Sequence, residues 1–178
     1  MKGIVFTLLE RAVVEDYGED AWDDLLDGAG LVGAYTSLGD YPDDDLRRLV
    51  EQASRTLGLP PQDIIRWFGR RALPALAASF PGFFRDHPNT RSFLRTLNEI
   101  IHPEVRKLYP GADVPWFDFQ ETPEGGLVMG YVSHRKLCAF AEGLIDGAAG
   151  HFGEPVSIAQ PTCMLRGDPA CALVLQFG

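Results

Sequence analysis

Two groups of residues have types and spacing that could do chemistry. His102 lies beside the apolar stripe of a stretch with helical periodicity (Leu94, Leu97, Ile101, Val105, Leu108), and Pro103 follows it directly. Proline disfavours α conformation in the residue before it, so the helix is expected to bend or restart near His102 and to aim the ring into the protein. A single histidine cannot hold a bare divalent ion. It can hold a haem iron, because the porphyrin supplies four further ligands. The alternative is a partly buried, hydrogen-bonded helix histidine with no ligand role.

The second group is Tyr131-Val132-Ser133-His134-Arg135. Side chains alternate across a strand, so Tyr131, Ser133 and Arg135 are expected on one face. A phenol, a hydroxyl and a guanidinium in a row suit a carboxylate. Arg135 would take it bidentately, in a charge-assisted bond worth about 1.5–3 kcal/mol. The alternative is a half-exposed strand end whose arginine pairs with a surface acid. Taken together, the two groups suit a cofactor that is flat, apolar, metal-centred and edged with two propionates.

The elements that must position these groups can be read from periodicity. The first two-thirds of the chain is helical in pattern. Ile4, Val5, Leu8, Leu9, Ala12 and Val13 mark one helix, and Trp22, Leu25 and Leu26 a short second one before Gly28. Asp43-Asp44-Asp45 puts acids at the positive end of a third, carrying Leu46, Leu49, Val50 and Leu57. A fourth follows Pro60-Pro61 with a kink expected at Pro74, and a fifth is expected from about Thr90 to Tyr109. The pattern then changes to strands at 116–119 and 127–133, a helix over 136–152, and strands at 156–158, 164–165 and 172–177. Helices first and strands later is the α+β order.

With 178 residues, one domain is expected at about 150 residues per domain. The net charge of −9 disfavours binding to nucleic acid or to an anionic membrane surface. The apolar run from Ile4 to Leu9 is broken by Glu10 and Arg11, and no stretch approaches the roughly 20 apolar residues of a membrane span. Three cysteines cannot all pair within the chain. The expectation is a cytoplasmic protein.

The sequence resembles the haem nitric oxide/oxygen-binding (H-NOX) domain family, of the bacterial stand-alone type and related to the haem sensor domain of soluble guanylate cyclase. The resemblance spans the chain. It rests on Met1-Lys2-Gly3-Ile4-Val5-Phe6, on Ile101-His102-Pro103-Glu104-Val105 leading to Leu108-Tyr109-Pro110, and on Val114-Pro115. It rests also on Tyr131, Ser133 and Arg135 as Tyr-x-Ser-x-Arg, and on the segment from Glu142 to Ala149. It implies an α+β fold: a helical N-terminal subdomain (about 1–64) and a haem-enclosing remainder (about 65–178), with antiparallel sheet and a long helix, haem lying between them.

By that resemblance His102 is the proximal ligand of a non-covalent haem b, Tyr131, Ser133 and Arg135 hold its propionates, and Pro115 presses on the macrocycle. Relatives that hold oxygen stably carry a distal tyrosine where this chain has Phe140. Val5, Leu9, Pro74 and Leu144, the other distal residues implied, are apolar as well. The implied function is ferrous-haem detection of NO and CO with exclusion of O2. Binding would break the iron–His102 bond and shift the two parts of the chain. The chain would have no catalytic output of its own and would signal to a partner, a sensor histidine kinase or a cyclic-di-GMP enzyme. A haem enzyme, peroxidase-like or NO-consuming, would need a distal acid–base group that this apolar set lacks.

Some relatives build a zinc site from cysteines at the places of Cys138, Cys163 and Cys171. Tetrahedral zinc takes four donors, and Gln160 and Leu173, where a fourth might stand, do not supply one. Reduced thiols, or a redox-sensitive pair, are the alternative, and a thiol- or zinc-based redox sensor is the corresponding alternative function. His87 and His134 read as solvated, His151 as a helix-end residue, and Trp22, Trp67 and Trp116 as core.

Overall fold

Gly3 opens the first helix because only glycine fits there: a Cβ would lie 1.8 Å from the Thr36 carbonyl oxygen. In the computed structural model, which describes residues 1–178, the chain bonds back from this point to the loop before Asp43, with Gly3 N donating to Gly39 O and Ile4 N to Ser37 O. The helices α1 (Gly3–Tyr17), α2 (Glu19–Ala29), α3 (Asp43–Leu57) and α4 (Pro61–Ser79) follow. Acids in the first turns of α2 and α3 complement the helix dipole. Helix α2 runs through Gly28 and stops at Gly30, whose left-handed conformation (φ 65°) caps it, so it is longer than periodicity suggests. Helix α4 continues through Pro74.

The stretch expected as one helix from Thr90 to Tyr109 is three pieces: α5 (Thr90–Leu94), a π-helical turn (Leu97–Ile101) and α6 (His102–Leu108). Strands β1 (Trp116–Glu121) and β2 (Leu127–Val132) form a hairpin, α7 (Cys138–Phe152) crosses back, and β3 (Val156–Thr162) and β4 (Cys171–Phe177) complete an antiparallel sheet in the order β1-β2-β4-β3. The short strand expected at 164–165 is instead a 3-10 turn, Met164–Arg166. The Cys163 carbonyl accepts from Arg166 and Asp168, which closes the chain tightly there. Trp116, expected in the core, is 65 % exposed: its neighbour Phe117 takes the inward side of β1, opposite Tyr131.

There are two apolar cores. One holds Phe6, Leu9, Trp22, Leu49 and Phe68; the other holds Phe93, Ile101, Phe117, Met129, Tyr131 and Leu175. Each such buried aliphatic or aromatic side chain contributes about 1.5–3 kcal/mol. Helix α4 serves both, Ile64, Phe68 and Ala72 in the first and Leu73 and Ala77 in the second. It packs backbone to backbone on α7: a Cβ on Gly143 would lie 2.0 Å from the Arg66 carbonyl oxygen, and one on Gly69 would lie 2.4 Å from that of Phe140. Beside this contact the buried Glu142 accepts from Arg66 Nε at 2.8 Å, which supplies the partner a buried carboxylate needs.

Candidate functional site

Pro103 shapes the segment that carries His102. It lacks an N–H and sits in the first turn of α6. His102 nevertheless keeps ordinary α geometry (φ −65°, ψ −38°), and the disturbance falls on the five residues before it. These widen to a π turn in which the Thr96 carbonyl accepts from both Ile100 and Ile101. The expected break is therefore real but lies upstream of the histidine. Within the turn, Asn98 reaches across to β1, donating from Nδ2 to Phe117 O (2.5 Å) and accepting from Phe117 N (3.2 Å). The histidine-bearing segment is thus pinned to the sheet, with the His102 and Phe117 rings 5.7 Å apart.

His102 looks into a cavity of about 340 Å³, where 29 of 37 lining residues are hydrophobic. Such a cavity has the size and character of a cofactor pocket. Burial pushes the His102 pKa down to about 4; the nearby charge of Arg106 acts in the same direction, and the Pro115 backbone carbonyl opposes. The imidazole is therefore neutral at physiological pH, the form that ligates a metal. The consequence for the haem-free chain can be measured. The unfolded chain takes up the proton near pH 6.5 but the folded one only near pH 4. The contribution of His102 to stability is therefore full above pH 6.5, is lost progressively as the pH falls to 4, by about 3 kcal/mol, and changes no further below. Urea melts across this range check it.

The cavity also has polar lining residues, Lys2, Asp40, Asp113, Tyr131, Ser133 and Arg135 among them. Tyr131 lies on β2, but the strand stops at Val132, so Ser133 and Arg135 stand on the turn beyond it. The three share the cavity because this turn folds inward, and strand alternation accounts for Tyr131 alone. The turn is held by Tyr131 Oη accepting from Leu137 N (2.9 Å), by Ser133 Oγ accepting from Arg135 N (3.3 Å), and by Lys136 in a left-handed conformation (φ 52°). Burial raises the Tyr131 pKa, so its hydroxyl remains a donor. Arg135 donates from Nε to Asp43 (2.8 Å) and from Nη1 to Asp113 (2.9 Å to the carboxylate, 2.8 Å to the carbonyl). The Met1 ammonium also pairs with Asp43 at 2.9 Å, and Lys2 with Asp40 at 2.6 Å. Although burial opposes it, the Asp43 pKa is lowered by its bonds to that ammonium and to Arg135. Pro115 lines the cavity, its backbone carbonyl beside His102.

Val5, Phe140 and Leu144 line the apolar wall, Phe140 with its ring 4.9 Å from that of Phe68. Two residues expected there do not. Leu9, one turn beyond Val5, is buried in the N-terminal core, and Pro74 is exposed on the outer side of α4. Leu73 and Leu76 take the α4 positions at the cavity.

The three cysteines are all buried, with their sulfurs within 4.8 Å of one another. Burial raises the thiol pKa of Cys138 and pushes that of Cys171 up to about 12. Gln160 lies against Cys138, and no fourth His, Cys, Asp or Glu joins the group. His87 bonds Ser92 through Nδ1 (3.0 Å), His134 is 65 % exposed beside Asp113, and His151 packs on Phe84.

A neutral imidazole, an apolar chamber and a cluster of donors at one end form a set that fits a haem. The model of the haem-NO-binding (HNOB) family matches residues 2–160. This chain belongs to that family. HNOB, or H-NOX, domains are haem-binding gas sensors. An H-NOX protein from Shewanella oneidensis, solved in the Fe(II)NO state, is 32 % identical with a TM-score of 0.94, covering all of this chain and 99 % of that one. The unliganded Fe(II) H-NOX protein from K. algicida is 26 % identical with a TM-score of 0.89, covering all of this chain and 97 % of that one. The soluble guanylate cyclase gcy-32 of Caenorhabditis elegans is 25 % identical over 156 residues, which are 84 % of this chain but only 23 % of the cyclase. The H-NOX chain therefore spans about a quarter of that relative. The α+β fold is the family's. No helix is long and apolar enough to cross a membrane.

Sequence reasoning missed Asn98, Lys2 and the acids Asp43 and Asp113 as parts of this H-NOX site. For Asn98 the one signal was an amide side chain four residues, about one helical turn, before the histidine.

Proposed function

We propose that this H-NOX chain is a haem-based sensor of nitric oxide and carbon monoxide that does not hold oxygen and that signals to a separate protein in the cytoplasm. The observation that carries the reading is a neutral, inward-facing His102 in a cavity whose wall at Phe140, Val5 and Leu144 has no hydrogen-bond donor. A bound haem supplies a ferrous iron that takes a diatomic gas. The chain's own residues do the rest. His102 offers its lone pair, with its ring oriented by the Pro115 carbonyl and its backbone fixed through Asn98. Tyr131, Ser133 and Arg135 would hold the propionates, and Pro115 would press on the macrocycle. Oxygen on ferrous iron carries partial negative charge and relies on a donor worth about 1.5–3 kcal/mol, which Phe140 cannot give. Nitric oxide relies less on such help.

In the haem-free chain burial keeps His102 uncharged, and release of the ring from a metal would move the segment that carries it. The displaced ring would act on β1 through Asn98. Arg135, which ties the turn after β2 to Asp43 on α3, would carry movement of the propionate end into the helical part. The two parts correspond to about 1–64 and about 65–178. By family likeness the partner is a sensor histidine kinase or a cyclic-di-GMP enzyme. Zinc forms no part of this reading, because the cysteine cluster offers three of the four donors it takes.

The absorption spectrum of the reduced protein, recorded in air and then with NO, tests the proposal. A five-coordinate ferrous spectrum unchanged by air and altered by NO is expected; a stable oxygen complex overturns the exclusion of O2, and a chain that takes up no haem overturns the whole. Arg135→Ala is expected to weaken haem retention on gel filtration roughly 10- to 100-fold, and full retention would remove the propionate assignment.

A further inference from the structure

Lys2 and Arg135 are the only lysine and arginine that line the cavity. The Lys2 side chain is 12 % exposed, although a lysine in the second position of a chain could easily extend into water. Its one partner is Asp40 at 2.6 Å, and that carboxylate is itself 69 % exposed. An ammonium that lines a mostly apolar chamber and has one recorded partner, an acid at the same cavity that is largely open to solvent, is a cation with donors to spare. Asp40 can return to water at little cost, whereas Arg135 is already forked between Asp43 and Asp113. A haem carries two carboxylates, and the Tyr131-Ser133-Arg135 turn supplies one cation.

We infer that Lys2 binds the second propionate of the haem, with Asp40 holding its ammonium in place until the haem arrives. This rests on the haem reading given above. The placement has a mechanical side. Lys2 is the N-cap of α1 in extended conformation, and its backbone bridges to Asp40. Val5, one turn into the same helix, lies on the cavity wall. Through Lys2 the propionate edge is tied directly to the start of α1, a link to the helical part separate from Arg135 and Asp43.

The test measures haem loss from holoprotein to excess apomyoglobin for wild type, Lys2→Gln, Lys2→Arg and Asp40→Asn, each loaded with haem or with haem dimethyl ester. With haem, Lys2→Gln is expected to lose it about tenfold faster, Lys2→Arg to match wild type, and Asp40→Asn to be unchanged or slower. With the ester, which has no carboxylate, wild type and Lys2→Gln are expected to agree within about twofold. The inference is overturned if Lys2→Gln leaves haem loss unchanged. It is overturned equally if the acceleration persists with the ester, or if Asp40→Asn accelerates loss as much as Lys2→Gln, since either result makes Lys2–Asp40 a structural pair only. A wild-type chain that takes up neither pigment overturns the sensor reading itself, and a coloured wild type separates the two failures.

Discussion

His102→Gly is expected to lower haem retention by at least the roughly 10- to 100-fold seen when outer-shell partners of a metal are removed, because on the proposed reading it deletes the ligand itself. Added imidazole should restore it, since the hole left by the ring keeps the Pro115 carbonyl and the Phe117 ring that flanked it. The readout is the ratio of haem absorbance to protein after gel filtration, with and without imidazole. The same variant makes a second demand. Without the buried imidazole the haem-free chain should lack the part of the stability loss between pH 6.5 and 4 that His102 contributes, so its urea midpoints should be flatter with pH than those of the wild type. Full haem retention without imidazole would show that another group holds the iron.

The second large effect is expected from Phe140→Tyr. Phe140 is half-buried, faces the cavity and packs on Phe68, which is 1 % exposed. A tyrosine can keep that packing while its hydroxyl extends the ring into the chamber. The chamber has no other donor on that wall, so the hydroxyl would be desolvated and free to bond a polar ligand. One charge-assisted hydrogen bond of about 1.5–3 kcal/mol corresponds to roughly 10- to 100-fold in oxygen affinity. Spectra of the reduced variant in air should show an oxygen complex, and those of the wild type none. Identical spectra for the two proteins would mean that the donor at this position does not decide which gas is held.

What could be read in the chain differs sharply from residue to residue, for physical reasons. His102 was legible because Pro103 marks a backbone irregularity beside an apolar stripe. Tyr131, Ser133 and Arg135 were legible as a donor set, although the strand ends after Val132 and the turn brings the last two inward. Lys2, Asn98 and Asp43 each look like ordinary polar residues, since their partners lie far along the chain: Lys2 is 38 residues from Asp40, Asn98 19 from Phe117, and Arg135 92 from Asp43. Leu9 and Pro74 show the limit of periodicity. It reports that a helix has an apolar face, and Leu9 does share a face with Val5, but with two cores in one molecule it cannot say which residues along that face meet the cavity. The π turn was invisible for a related reason: one extra residue per turn leaves the pattern Leu94, Leu97, Ile101, Val105 almost unchanged.

The contact between α4 and α7 bears on how force can travel through the molecule. Where Gly69 and Gly143 let two main chains touch, there are no side chains to yield, swap rotamer or soak up a displacement. Because α4 has one half planted in each core, it behaves as a stiff beam resting on a fulcrum. A push delivered at the Leu73 end, beside the cavity, would meet no cushion to dissipate in and would reappear as tilt at the Ile64 end.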